Sequence, residues 1–333
     1  MDTTDPPPDP PTGLRARLKL IGPGLITGAA DDDPSGIATY SQAGAQFGYS
    51  MLWTVVFTLP LMVAIQIVSA RIGHVTRHGL AANIKASFPR AVLYAVVGML
   101  VAANTLNIAA DIAAMAEALR LLVGGPVHVY AAAFGALSLL LQVFLPYARY
   151  VRVLKWLTLA LLAYVAVAFS LALDWAQVAR ELVWPRLPAT SAVLLTVVAV
   201  FGTTISPYLF FWQAAQEMED TRGHAQAPRT RATVRAHLRR IKADTIVGMT
   251  FSNLIAFFII LSTAGTLHAA GVLDIQTSAQ AAQALRPVAG DFAFLLFSLG
   301  IIGTGLLAVP VLAGSAAYAV AEAAGWPGSL SLH

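Results

Sequence analysis

No cysteine occurs anywhere in the chain. Its absence excludes a disulfide framework, a thiolate metal site and a cysteine nucleophile. Charge is nearly as scarce: Asp, Glu, Lys and Arg make up 11% of the residues, against about 25% in an ordinary soluble domain. Histidine pairs are missing from the apolar runs too. No His-x-x-x-His or Glu-x-x-His falls within an apolar run, and the one histidine touching such a run is His128, at its edge. A catalytic zinc or di-iron site is therefore not expected. No cleavage-site pattern precedes the first apolar run, so no signal peptide is expected. The net charge of +4 does not point to nucleic acid, because the basic residues lie in loops between apolar runs.

What is present is apolar. Hydrophobic residues make up 57% of the chain, and the mean hydropathy is +0.70. The sequence is that of an all-α, polytopic membrane protein whose main partner is the lipid bilayer. Eight spans are predicted, at about 20–47, 51–70, 91–119, 127–146, 154–174, 191–213, 244–266 and 291–320. They form one transmembrane domain over 14–323, between a Pro/Asp-rich, disordered tail at 1–13 and a short tail at 324–333. With the N-terminus inside, 17 Lys and Arg residues fall in inner segments and four (Arg120, Arg180, Arg186 and Arg286) in outer ones. The positive-inside rule then predicts that both termini are cytoplasmic. The basic loop from Glu217 to Lys242 reads as an inner loop with a short amphipathic helix.

The costliest stretch lies inside the first span. Asp31, Asp32 and Asp33 stand in a row, followed by Pro34, Ser35 and Gly36. A single Asp at the centre of a span costs roughly 2.5–3.5 kcal/mol on insertion scales. Pro34 removes a backbone donor and Gly36 favours an unwound turn. Polar, broken backbone at membrane depth is tolerated only where it faces protein or a water-filled cavity. Span six repeats the pattern, with Gly202, Thr203, Thr204, Ile205, Ser206, Pro207 and Tyr208 at its centre. Two interrupted spans five crossings apart point to an inverted-repeat transporter with its site at the midplane.

The residues at the two breaks are oxygen donors: the Asp33 carboxylate, with Ser35, Thr203, Thr204 and Ser206. No Met lies in either break. Oxygen ligands suit hard divalent cations, whereas sulfur favours later transition metals. Adjacent helical residues point about 100° apart, so the three aspartates converge on one ion only if the backbone is unwound.

At these positions the chain resembles the Nramp family of divalent-metal transporters. The family's first helix carries Asp-Pro-Gly-Asn and then Ala-Gly-Ala-Gln-Phe-Gly. Here the matching runs are Asp33-Pro34-Ser35-Gly36 and Ala43-Gly44-Ala45-Gln46-Phe47-Gly48. The family's sixth-helix run Gly-Ala-Thr-Val-Met-Pro-His corresponds to Gly202-Thr203-Thr204-Ile205-Ser206-Pro207-Tyr208. The resemblance implies a fold of two inverted five-helix repeats with broken first and sixth helices, and a secondary transporter of divalent metal cations. It implies metal ligands at Asp33, Thr203 and Ser206, with no resident cofactor beyond the transported ion and H⁺.

The departures from the family pattern bear on the ion. The family's Asn stands as Gly36, its Met as Ser206, its carbonyl-donating Ala as Thr203 and its His as Tyr208. Loss of the thioether leaves a harder site, suited to Mg²⁺ and still open to Mn²⁺. Asp31 and Asp32 are extra carboxylates, either auxiliary ligands or proton acceptors. In the third span Asp111 matches an acidic position of the family. Ala114 replaces the acid one turn on, and Glu117 either takes that role or pairs with Arg120.

Other features read more simply. Gly24/Gly28 and Gly44/Gly48 allow close helix packing, and His74 and His78 read as a surface face. Trp53, Trp156, Trp175 and Trp184 read as interfacial anchors. Eight spans fall short of the ten core helices that the resemblance implies, so a C-terminally truncated member is expected. Other classes stay open: a same-fold, ion-coupled transporter of a small organic solute, and a non-transporting remnant. An intramembrane aspartyl protease is disfavoured, since Gly290-Asp291 has Val288 where the required glycine would stand.

Overall fold

The computed structural model describes residues 28, 30–144, 157–223 and 231–327. The tail at 1–13, most of the first half of span one, Trp156, Arg229 and the last residues of the C-terminal tail lie outside them.

The described chain is helical throughout, and each helix begins and ends where local chemistry dictates. Helix α1 (Pro34–Phe47) has Pro34 in its first turn and Asp33 as its N-cap, and stops at Gly48, which takes φ 60°. Proline suits a first turn because the N–H it lacks has no intrahelical partner there. A 3₁₀ turn (Gly48–Met51) leads into α2 (Leu52–Thr76), which ends at Arg77 in the left-handed conformation. The short α3 (Leu80–Ser87) and long α4 (Arg90–Val123) follow, the latter stopped by Gly124 at φ 71°. Next come α5 (Val127–Phe144), α6 (Leu162–Ser170) and α7 (Trp175–Val183), the last capped by Asp174. The sixth predicted span is two helices, α8 (Ser191–Thr204) and α9 (Pro207–Gly223). Helix α10 (Arg231–Thr263) runs on through a π-helical turn at Ala264–His268. Finally α11 (Ser278–Ala324) bends at Gly290 (φ 80°, ψ 170°) and is capped by Gly325.

Among the described residues six helical stretches are long and apolar enough to cross a membrane, or seven if one bent pair is a single span. The sequence count of eight differs because Pro34–Thr76 is continuous through the 3₁₀ turn. At 43 residues and 1.5 Å per residue that stretch is about 65 Å long, enough for two crossings of a ~30 Å core. The fifth span is shorter than the predicted 154–174. Its helix ends at Ser170, and the chain turns by 114° into α7. Asp174 explains the restart: its carboxylate accepts from the Ala176 and Gln177 amides at 3.0 and 3.1 Å. The predicted amphipathic helix of the basic loop is instead the start of α10, which carries Arg235, Arg239, Arg240 and Lys242 on the same helix as the seventh span.

The packing places α1 inside the bundle. It lies against α4, α8, α10 and α11, while α2 packs on α9 and α10. Gly28 and Gly44 allow the approach: a Cβ on either would overlap the backbone of α10, at Gly248 and Ile260 respectively. Close backbone contact through small residues is how helices associate where lipid competes for apolar side chains. Two apolar clusters flank α1, one around Ile37, Tyr164 and Phe297, the other around Met115, Trp212 and Leu307. The outer surface is apolar as well. Phe57, Leu106, Phe144 and Leu195 are each more than 60% exposed, as a lipid-facing exterior requires.

Candidate functional site

Both interrupted spans are broken where the sequence places the breaks. Residues 32 and 33 are non-helical between the arm at 30–31 and α1, and Ile205 and Ser206 are non-helical between α8 and α9. The two breaks touch. The Tyr208 hydroxyl, at the start of α9, donates to the Ala30 carbonyl at 3.0 Å and lies 3.4 Å from Asp33 Oδ2. In α8, Thr204 donates to the Val200 carbonyl at 2.7 Å, so its oxygen accepts from the Tyr40 hydroxyl of α1 at 2.9 Å. These two tyrosines tie the first break to the second.

Asp33 is buried, and its environment is set by the helix it caps. Oδ1 accepts from the Gly36 amide at 2.6 Å and the Ser35 hydroxyl at 2.8 Å. A carboxylate at a helix N-terminus is stabilised by the unpaired N–H groups and the macrodipole. Asp111 of α4 takes the neighbouring donor, the Ser35 amide, at 3.1 Å. Both carboxylates are thus held by one helix end, although 78 residues separate them. Asp111 is fully buried, and its Oδ2 has no hydrogen-bond partner among the described residues.

Asp31 and Asp32 are buried beside this group but turn toward α10. Ser252 Oγ lies 2.6 Å from Asp31 Oδ2 and 3.1 Å from Asp32 Oδ1. The unwound backbone therefore sends Asp31 and Asp32 one way and Asp33 another. Glu117 lies six residues beyond Asp111, about 9 Å along the helix, where it accepts from Thr277 at 3.1 Å. The structure does not bring it to the breaks.

A cavity of about 540 Å³ opens between the breaks and α4. Ser35 and Thr39 of α1 line it, with Thr203, Ser206 and Tyr208 of the second break. Asn104 and Asn107 of α4 supply its remaining polar groups, and Gly202 and Pro207 contribute backbone. Ser206 donates to the Thr203 carbonyl, 2.5 Å away, so the carbonyl that the family pattern would aim at a metal is engaged internally. Thr204 faces Tyr40 instead. The position of the family's Asn is tight: a Cβ at Gly36 would lie 3.1 Å from Asp33 Oδ1 and 3.2 Å from Thr203 Oγ1, so both side chains would have to shift slightly. Ser35 and Tyr208 both line the cavity; Ser35 donates to Asp33 and the Tyr208 hydroxyl lies 3.4 Å from it, so they are the shortest polar link from the cavity to the carboxylate.

Sequence reasoning missed three participants. Ser252 sits in a predicted span as an unremarked serine, and its role depends on α10 packing against the first break. Tyr40 and Thr39 read as ordinary helix residues, although period 3.6 places them one turn after Gly36 and Ser35. Asn104 is a further polar residue of α4. In the structure its amide donates to the Leu312 carbonyl and Ser315 hydroxyl, both at 2.8 Å, joining α4 to α11. His74 departs from the expected surface face: it is 7% exposed and stacked on His237. His78 is exposed as expected. Asp291 is exposed and paired with Arg286 at 2.6 Å, far from the environment an aspartyl protease needs.

The family model for natural resistance-associated macrophage protein-like (Nramp) proteins matches residues 24–332. The divalent metal cation transporter MntH of Pectobacterium carotovorum is 30% identical over 308 residues, covering 89% of this chain and 70% of that protein. The same transporter from Yersinia enterocolitica is 31% identical over 311 residues, with 89% and 71% covered. The crystal structure of the Eremococcus coleocola manganese transporter superposes with a TM-score of 0.79 at 18% identity, over 98% of this chain and 70% of that one.

Proposed function

The chain belongs to the Nramp family, and from that membership we propose that it moves divalent metal cations across the cell membrane through the cavity between its two broken spans. It is a multi-pass membrane protein, and the family consists of transporters, not enzymes. The observation that carries the site is the meeting of two broken helices around a cavity lined by hydroxyls and amides, with Asp33 one bond behind Ser35 and Tyr208.

Asp33 supplies the charge, and Thr203 and Ser206 supply oxygens. The cation is hard and keeps part of its water: Mg²⁺ fits first, and Mn²⁺ follows. The reasons are chemical. No sulfur faces the cavity from the position of the family's Met, the thioether on its wall being that of Met99 in α4; Gly36 offers no side-chain amide, and Mg²⁺ sheds its waters reluctantly. Hydroxyls that already donate to Asp33 and to the Thr203 carbonyl present their lone pairs to such an ion, or hold waters that bridge to it. Asp111, joined to Asp33 through the two sides of Ser35, is the group placed to carry a proton with the ion. Asp31 and Asp32 are auxiliary carboxylates held on α10. Glu117 lies outside this assembly. The distribution of Lys and Arg supports cytoplasmic N- and C-termini.

A substrate carboxylate is a poorer fit. It would need the N–H groups at the start of α1, and Asp111 and Asp33 already occupy those of Ser35 and Gly36.

Uptake of Mg²⁺, Mn²⁺ and Cd²⁺ into proteoliposomes tests the reading. Wild type is expected to carry Mg²⁺ and Mn²⁺, and Asp33→Ala to lose uptake by about tenfold to a hundredfold, since a hydrogen bond to a charged group is worth roughly 1.5–3 kcal/mol. Ser206→Met should move preference toward Mn²⁺ and Cd²⁺. Unchanged uptake in Asp33→Ala would overturn the site. Tight Cd²⁺ binding by wild type with no response to Mg²⁺ would overturn the choice of ion.

A further inference from the structure

A second group of metal-binding side chains lies outside the cavity, where the ends of α2, α9 and α10 meet. His74 of α2, Glu217 of α9 and His237 of α10 each offer a ligand atom, all within 4.8 Å of one another. They come from segments 143 and 20 residues apart in sequence, so helix packing alone assembles them. We propose that His74, Glu217 and His237 form a second divalent-metal site, selective for a borderline transition-metal cation such as Zn²⁺ or Co²⁺ over Mg²⁺. The proposal does not depend on the ion carried through the cavity.

Three observations support it. First, the donor set is two imidazoles and a carboxylate, which suits borderline dications and differs from the oxygen lining of the cavity. Second, His74 is oriented by a relay. Thr221 donates its hydroxyl hydrogen to the Glu217 carbonyl at 2.7 Å, so its oxygen accepts from His74 Nδ1 at 2.9 Å. That fixes the proton on Nδ1 and leaves the lone pair on Nε2, as in metal-binding histidines held by a hydrogen bond to the other ring nitrogen. Third, His237 Nε2 lies 3.4 Å from Glu217 Oε2, so an imidazole and a carboxylate from different helices already face each other. Asp220 Oδ2, 3.9 Å from the same nitrogen and anchored by Arg240 at 2.9 Å, stands behind as a further carboxylate.

Access and geometry also bear on the site. Glu217 is buried, while His237 is 26% exposed, so an ion reaches the cluster from the aqueous side. The two imidazoles are stacked, with centroids 4.2 Å apart and planes 10° from parallel. In-plane lone pairs of parallel rings do not converge, so binding requires His237 to rotate out of the stack. The bound ion would then cross-link α2 and α10 to α9, the arm that begins at the second break.

The test is Co²⁺ binding to the purified, tag-free chain, followed by the visible absorption of the bound ion. In an Asp33→Asn background, which weakens the cavity site, one Co²⁺ should still bind, and millimolar Mg²⁺ should not displace it. Adding His237→Gln or His74→Gln should weaken that binding at least about tenfold, and Thr221→Val about tenfold through loss of the fixed tautomer. Loss of all Co²⁺ binding in Asp33→Asn alone would overturn the proposal. So would an unchanged isotherm in the folded histidine variants or, should those fail to fold, in Thr221→Val.

Discussion

Ser252 shows how much one residue can carry. A hydroxyl has one hydrogen, and this one stands within bonding distance of two buried carboxylates, Asp31 and Asp32. Its oxygen is the side-chain partner that lets two acids sit side by side inside the bundle. Ser252→Ala removes that partner from both, and leaving a buried polar group unsatisfied costs about 1–3 kcal/mol. We expect a lower thermal midpoint in detergent for Ser252→Ala, partly restored by Asp32→Asn, which removes one charge. A midpoint equal to wild type would mean that the two acids are satisfied in some other way. Gly36 makes the complementary point. Its missing side chain leaves the space beside Thr203 Oγ1 and Asp33 Oδ1, and the proposed hard character of the site rests on two absences, a thioether at 206 and a side-chain amide at 36.

At the scale of the element, the first span depends on its contact with α10. Gly28 and Gly44 lie against Gly248 and Ile260 so closely that a Cβ would overlap backbone. Backbone cannot move aside as a flexible side chain can, so Gly44→Val should destabilise the fold by about 1–3 kcal/mol. Gly98, inside α4, is the control, because a Cβ there meets nothing within 4 Å. Gly98→Ala should be neutral or raise stability by roughly 0.5–1 kcal/mol through a stiffer unfolded chain. Thermal unfolding of the two variants in detergent reads both signs, and equal midpoints would contradict the packing argument. A second contact works in the same way at the end of the bundle. The Glu322 carboxylate accepts from the Gly79 and Ala82 amides at 2.6 and 3.1 Å, so the last helix caps α3.

At the scale of the whole molecule, the absence of cysteine becomes an experimental tool. Single cysteines can be introduced with no background thiol, and a membrane-impermeant reagent then reports the side on which each one lies. Arg235 and Arg180 are exposed and fall on opposite sides of the bilayer in the proposed orientation. Arg235→Cys should label only from the cytoplasmic face and Arg180→Cys only from the outer face. Labelling of both from one side would overturn the topology. The proposed orientation would also give the two proposed metal sites distinct places: the cavity between the breaks lies within the bundle, and the His74–Glu217–His237 cluster would face the cytoplasm.

By itself the sequence determined the class of the molecule and the positions of its two broken spans. Apolar runs of spanning length permit only helices in a bilayer, because backbone polar groups there must be satisfied within the segment. Three aspartates with Pro34 in the first span, and Gly202, hydroxyls and Pro207 in the sixth, are unusual enough at that depth to mark the two breaks. Asp33, Thr203 and Ser206 fall in those breaks, whereas Asp111 was singled out by its match to the family pattern. Only the tertiary structure decided which of these groups meet. Two carboxylates 78 residues apart share one helix end because α4 packs beside α1. Asp31 and Asp32 turn to Ser252 because the unwound backbone and the glycine contacts bring α10 close. His74 leaves the surface because α9 and α10 fold over it. Contacts between distant segments depend on how helices pack, and spacing along one helix carries no record of that.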